Sequence, residues 1–343
     1  MLPTRIRSYA TVQHGNFFDQ VNNILAANLI NSKYVTPKKS MRRSPVFTPG
    51  VLYINKCVSL QPLIDTYLYC DWDSRGTLPN PPVEGGLIIS MKNYVIHDTI
   101  GDLDDLNIHD QLDGQLIVGK VSKRKKQNYT KKQKQTRQLL NAIPSASPNQ
   151  KRGKKTNGVN SNYCFLGFRK EPLTSGKLGE YSFKTNCSDH NREIIKEGVS
   201  MLVGEMEEMG HTLIHRLKEH QHFMMTKQAL NLPSIAGTSR GVATQFSSGI
   251  GYWSPIHYDV DRYVCVLSVM ANKRRDNDKI IYYFCFPEYN ITIPLTSGDV
   301  LVFNPLILHS CTNCRFSDGH IFSAYVSNKT VMTAGIGKFK INN

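Results

Sequence analysis

The sequence predicts an α+β chain whose C-terminal part is a double-sheet jelly roll. Three observations carry this reading. From Gly241 onward, eight short apolar runs are separated by turn residues, the punctuation of an antiparallel β domain. Ahead of them stands an amphipathic helical stretch able to cover one sheet face. Ahead of that, a long basic segment without apolar period divides the chain into three parts.

Residues 1–115 form an N-terminal region of mixed character and unassigned chemistry. An amphipathic helix is expected around Phe17 to Leu29, with strands at Val51 to Tyr53 and Gly86 to Ile89. The run Leu78-Pro79-Asn80-Pro81-Pro82 interrupts them, because proline fixes φ and lacks a backbone donor. Six aspartates from Asp98 to Asp113 make an acidic patch. It reads as a solvated loop, with masking of the neighbouring basic block as the alternative.

Residues 116–160 are expected to be a basic flexible linker. Thirteen Lys or Arg and no Asp or Glu occur from Lys120 to Lys155, within a formal net charge of +15. Such a composition buries too little apolar surface to offset chain entropy. The block suits DNA or RNA contact through Lys120 to Lys155, a nuclear import signal, or a solvated spacer. No apolar run reaches the roughly 18 residues of a membrane span and no signal peptide is present, so a nuclear or cytoplasmic chain with no membrane association is expected. The eight cysteines are scattered and read as reduced thiols. Cys311-Thr312-Asn313-Cys314 has no second pair with which to hold structural zinc.

Residues 161–343 carry the jelly roll. Tyr163 to Phe168 is an entry strand. Ser188 or Asp189 then caps a helix with apolar residues at Ile194, Ile195, Leu202, Val203, Met206, Met209, Leu213 and Leu217, one face of which should pack on a sheet. His211 and His215 have i, i+4 spacing, but the Glu of the zinc-protease motif is missing, so they read as packing or surface residues. The predicted strands are Val242 to Phe246, Ile256 to Asp259, Arg262 to Met270, Ile280 to Phe286, Ile291 to Pro294, Val300 to Phe303, Leu306 to His309 and Ile321 to Ser327.

Two of these strands carry the candidate chemistry. His257 and Asp259 are two apart, so on extended backbone their side chains leave one face and converge. His309 follows Pro305-Leu306-Ile307-Leu308 and supplies a third ligand. Two imidazoles and one carboxylate make the facial triad of non-haem Fe(II) oxygenases. The alternative is a β-rich domain whose histidines serve only packing. Tyr252 and Trp253, just before the metal strand, are candidate pocket aromatics or core residues.

Taken with Phe286-Pro287-Glu288-Tyr289-Asn290-Ile291-Thr292-Ile293-Pro294-Leu295 and Gly298-Asp299-Val300-Leu301-Val302-Phe303, the triad resembles the double-stranded β-helix of the Fe(II)- and 2-oxoglutarate-dependent dioxygenases. The Pro-Glu-Tyr segment running into Gly-Asp-Val-Leu is similar to the TET and J-binding-protein-like branch, which oxidises methyl groups of pyrimidine bases. The resemblance covers about residues 240–330. It implies Fe(II) on His257, Asp259 and His309, and 2-oxoglutarate as cosubstrate. It also implies a basic residue on the last strand for the far carboxylate of that oxo-acid. Here His320 stands where Arg or Lys is expected; an imidazole offers one hydrogen bond where a guanidinium offers two. Arg315 in the preceding loop and Lys329 at the far end of the strand remain alternatives.

The function implied is hydroxylation of a C–H bond, with a nucleic-acid base as one substrate class. Two other readings stand beside it: a protein hydroxylase or demethylase of the same fold, and a non-catalytic jelly-roll binding module that lost the cosubstrate anchor.

Overall fold

The structure is a computed structural model that describes residues 50–54, 87–88, 93–98, 115–122, 135, 138–139, 141–143, 164–170, 177–181, 183–215, 217–238, 241–252, 254–271, 273, 276–289, 291–311 and 319–341. Among the described residues the strands are β1 (Gly50–Ile54), β2 (Leu87–Ile88), β3 (Asn93–Asp98), β4 (Gln115–Val121), β5 (Cys164–Lys170), β6 (Leu178–Glu180), β7 (Gln245–Ile250), β8 (Ser254–His257), β9 (Arg262–Met270), β10 (Ile280–Phe286), β11 (Ile291–Thr296), β12 (Val300–Phe303), β13 (His309–Cys311) and β14 (His320–Val326). Among the described residues, the helices α1 (Asp189–Ile214), α2 (Lys218–Leu230) and α3 (Asn328–Ile341) accompany them, and residues 141–143 are also helical.

The strands make two sheets, in the orders β1-β3-β4-β12-β9-β14-β7-β5-β6 and β2-β11-β10-β13-β8. Pairing is antiparallel except between β1 and β3 and between β2 and β11. This is a mostly antiparallel, jelly-roll-like arrangement. Strand alternation sorts the side chains of the large sheet into two layers. Cys265, Leu267, Val269, Leu301, Phe303 and Ile321 face the small sheet and pack with Phe284, Phe286 and Ile293. Val264, Val266, Val300, Val302, Phe322 and Ala324 point the other way and pack under Ile195, Val199, Val203, Met206 and Leu213 of α1.

Helix α1 forms because Ser188 caps it, accepting from the Asn191 amide at 3.3 Å, and because its apolar residues recur at helical spacing on one face. Gly210 lets that face come close: a Cβ there would stand 2.7 Å from Cγ2 of Val302. The helix also carries Glu207, buried, which accepts the amides of Val242 at 2.7 Å and Ala243 at 2.6 Å. Those amides are thereby taken out of the ladder, which is why β7 begins at Gln245 rather than at the predicted Val242.

Among the described residues, strands from before residue 161 enter the two sheets. Gln115–Val121, expected as linker, is a strand inside the large sheet, between β3 and β12. Its apolar run Leu116-Ile117-Val118 is buried, and Lys120 at its end is buried too. Ile143, also within the expected linker, is buried and helical, and Leu139 packs against the α1 cluster. Of the N-terminal region's described residues, β1 and β3 extend the large sheet and β2 pairs with β11. Partners more than 170 residues away leave no local signal, and charge counting over Lys120 to Lys155 hid the apolar run before it. The helix expected around Phe17 to Leu29, the proline-rich run and most of the basic segment lie outside the described residues.

Candidate metal centre

Strands β8 and β13 pair in the small sheet with His309 opposite His257. Neighbouring antiparallel strands place facing side chains about 5 Å apart, and the two imidazole centroids stand 4.5 Å from each other. Asp259 follows two residues after His257, and its amide donates to the Pro305 carbonyl at 2.8 Å. That bond ties the loop after β8 to the turn before β13. It brings Asp259 to both imidazoles: Oδ1 lies 3.8 Å from Nε2 of His257, and Oδ2 lies 3.6 Å from Nε2 of His309. One ligand atom from each of the three residues falls within 4.8 Å of the others.

The donor set and spacing fit a divalent ion. Donors about 2.1 Å from one ion stand about 3.0 to 3.4 Å apart at octahedral or tetrahedral angles, so the two imidazole–carboxylate pairs, at 3.8 and 3.6 Å, would have to close around it. His309 is prepared for this role. Its Nδ1 lies 2.7 Å from the Ile307 carbonyl, which fixes the tautomer with the proton on Nδ1 and leaves the Nε2 lone pair facing Asp259. Phe284 stacks on the ring at 5.5 Å, and Phe303 meets it edge-on at 4.9 Å. His309 is therefore buried and held, whereas the side chains of His257 and Asp259 are 30% and 39% exposed. The open side is theirs.

Two positioning residues escaped sequence reasoning. Glu288, in the 3-10 turn Pro287–Tyr289, accepts the Leu308 amide at 3.3 Å, next to His309. Asn304 turns the chain before it, accepting from the Leu306 amide at 3.0 Å through its side chain. The Pro-Glu-Tyr and Phe-Asn-Pro runs were the available signals. They also explain why β13 starts at His309, since the predicted Leu306 to Leu308 lies in the turn.

A cavity opens beside the triad, lined in part by Ser247, Tyr252, Ser254, Cys265, Leu267 and Ser323. Ser247 and Ser323 hydroxyls are 2.6 Å apart. Burial first, then Asp259 and Asp261, push the Cys265 thiol up, so it remains protonated. For 2-oxoglutarate the fit is incomplete: no Lys or Arg is among the described residues that line the cavity.

Of the residues considered for the far carboxylate, His320 and Lys329 are not among the described residues that line the cavity. His320 is buried in β14, opposite Ile250 and Met270. It shares the alternation of Phe322 and Ala324, which pack under α1, and is not itself among the lining residues, which on this strand are Ile321, Phe322 and Ser323. Lys329 is exposed at the start of α3. Arg315 lies outside the described residues, as does Trp253; Tyr252 lines the cavity.

No protein-family model matches the chain, and no curated protein matches it. Among solved structures it is similar to NgTET1 in complex with 5mC DNA, at 14% identity over 81% of this chain and 92% of that one, with a TM-score of 0.40. A Pseudomonas putida prolyl-4-hydroxylase is similar at 9% identity over 62% and 92%, TM-score 0.31. The viral collagen prolyl hydroxylase of Paramecium Bursaria Chlorella virus-1, in its 2OG complex, is similar at 12% identity over 55% and 90%, TM-score 0.27.

Proposed function

We propose that this chain is an Fe(II)-dependent dioxygenase that hydroxylates a C–H bond, with His257, Asp259 and His309 as iron ligands and 2-oxoglutarate as the cosubstrate its sequence resemblance implies. The observation that supports it is the convergence of two imidazoles and one carboxylate at the mouth of a cavity between two sheets. Bound there, Fe(II) would supply redox chemistry with coordination positions left for exchangeable ligands. The chain's own part is geometric. The Ile307 carbonyl holds the His309 tautomer, and Phe284 and Phe303 keep water from its inner face.

The substrate class we favour is a nucleic-acid base. Its support is the basic run after β4, which suits phosphate contact. The same run would suit nuclear import. Lys120 adds nothing to that run's surface charge, being buried. That no Lys or Arg is among the described residues lining the cavity favours one further reading, a jelly-roll binding module that does not turn over.

Anaerobic titration of Fe(II) and 2-oxoglutarate separates the two. The dioxygenase reading expects a visible charge-transfer band in the unmodified protein and none in Asp259→Ala. Well-folded protein that binds Fe(II) without developing a band leaves the binding-module reading.

A further inference from the structure

Helix α2 starts without the device that starts α1. Its N-cap is Leu217, which makes no side-chain hydrogen bond, whereas Ser188 caps α1. The first turn of α2 is held instead by backbone bonds to the Leu217 carbonyl, from the His220 amide at 3.1 Å and the Gln221 amide at 3.3 Å, and by the burial of Leu217 and His220. A helix end that lacks a capping side chain opens more readily. The surroundings of His220 therefore bear on whether α2 stays docked.

Those surroundings suit a neutral ring and oppose a charged one. From β9, the Tyr263 hydroxyl engages Nδ1 of His220. From α1, His211 sets its ring 5.1 Å away, edge-on at 62°, and His215 stands behind it, 5.5 Å from His211. From α2 itself comes the positive end of the helix dipole, because His220 lies in the first turn. A hydroxyl can donate to the bare nitrogen of a neutral imidazole, but it brings no charge to balance a cation. Two further bases and a dipole end work against one. Burial first, then His211 and His215, push the His220 imidazole down from 6.5 to about 4.

The ring holds a particular neighbour in place. Phe223, one turn further along α2, is stacked on Tyr263 with centroids 4.3 Å apart and planes 3° from parallel. It packs with Val242 and Val326 in a small apolar cluster of their own. Tyr263 keeps a left-handed backbone, φ 68°, which a bulky residue holds only where its surroundings impose it. His220 and Phe223 thus grip Tyr263 at the start of β9, whose Cys265 and Leu267 wall the triad cavity on the opposite face.

We propose that His220 is an acid-sensitive latch: as a neutral imidazole it docks the start of α2 on β9, and on protonation it leaves for water, freeing the first turns of α2 and unstacking Phe223 from Tyr263. The docked form holds the proton less tightly than the open one. Docking is therefore at full strength above about pH 6.5 and is lost as pH falls towards about 4. One proton taken up on opening makes the open fraction grow about tenfold for each pH unit across that window. The latch is independent of the reading of the triad.

Hydrogen exchange of the full-length protein, read by mass spectrometry from about pH 7.5 to about 4.5 and corrected for the intrinsic exchange rate, tests this. Amides of α2 are expected to lose protection about tenfold per pH unit below about 6.5, while those of β12 keep theirs. His220→Gln, uncharged at every pH, should hold the protection of α2 level. Glu207, which titrates in an overlapping range, is present in both proteins and cancels in the comparison. The ring-proton shift of His220 in the unmodified protein should titrate well below 6.5, a readout that stands even where His220→Gln does not fold. Protection of α2 that is indifferent to pH would overturn the proposal. So would an equal acid loss in His220→Gln, a loss shared equally by β12, or a ring that titrates at 6.5 or above.

Discussion

Lys120 and Asp299 form a buried ion pair, Nζ to Oδ2 at 3.0 Å, that ties the end of β4 to the turn before β12. The lysine also donates to the Pro294 carbonyl at 2.5 Å, and Asp299 Oδ2 accepts from the Thr296 amide at 2.8 Å. Gly298, at φ 86°, makes the turn possible. One carboxylate therefore satisfies a backbone amide and a buried ammonium at once. The first residue of the basic run is not a nucleic-acid contact but part of the core.

Breaking this pair should be expensive. Lys120→Ala leaves Asp299 buried without its cation, and removal of one partner of a buried pair costs about 3 to 5 kcal/mol. The expected outcome is a large fall in the urea midpoint with an unchanged slope. Lys120→Met with Asp299→Leu should lose much less, because no charge is stranded. Equal losses in the two proteins would mean that the pair itself, rather than the orphaned charge, sets the cost.

Glu207 should impose a pH dependence on stability. Burial, the largest influence, raises its carboxyl from 4.5, opposed by the Ala243 and Val242 amides and by Lys227. The folded state thus holds the proton more tightly than the unfolded one. Stability from this group is present in full below the ordinary value and is lost as pH rises through the raised one. Glu207→Gln should flatten the stability profile just above pH 4.5. Glu207→Ala, which strands two amides, should cost about 1 to 3 kcal/mol for each. Chemical denaturation across pH 4 to 7 reads both, and a profile unchanged in Glu207→Gln would contradict the assignment.

Much of the candidate site was legible because its signals are local. The period of two between His257 and Asp259, the Gly298-Asp299 turn and the Ser188 cap each act within a few residues. What was not legible depends on partners far away. Strand β4 is recognisable only beside β12, and Lys120 only beside Asp299. His320 and Ile321 differ by one position, and nothing in the sequence says which faces the cavity. Helix α2 went unseen because its apolar residues are few, with Phe223 as a buried apolar anchor.

Glu288 should tune the metal centre without touching it. Its carboxylate fixes the Leu308 amide, and with it the backbone that aims His309. Replacing a residue that orients a ligand typically weakens metal binding about 10- to 100-fold. Glu288→Ala is therefore expected to raise the dissociation constant for Mn(II), read by electron paramagnetic resonance, by about tenfold or more. His309→Ala should abolish that binding. Unchanged affinity in Glu288→Ala would show that Phe284, Phe303 and the Ile307 carbonyl suffice to aim the ring.

The basic run and the metal centre should be separable, because β4, which the run follows in sequence, ends beside Val300, away from the triad. Strand β4 passes Val118 beside Phe303, which touches His309, and ends with Val121 beside Val300. The chain thus leaves β4 at the end of β12 remote from the triad. Deleting residues 123–134, whose seven Lys and Arg follow directly, should weaken oligonucleotide binding and make its salt dependence shallower, by about 0.9 for each phosphate of duplex DNA that is no longer neutralised. Mn(II) affinity should stay as it was. If nucleic acid is the substrate and its anchor lies where β4 ends, it must reach the triad across the length of a strand, about 20 Å for six residues. Oligonucleotides of only two or three nucleotides should then bind no better to the full chain than to the deletion. Equal gains for short and long oligonucleotides would place the anchor beside the triad instead.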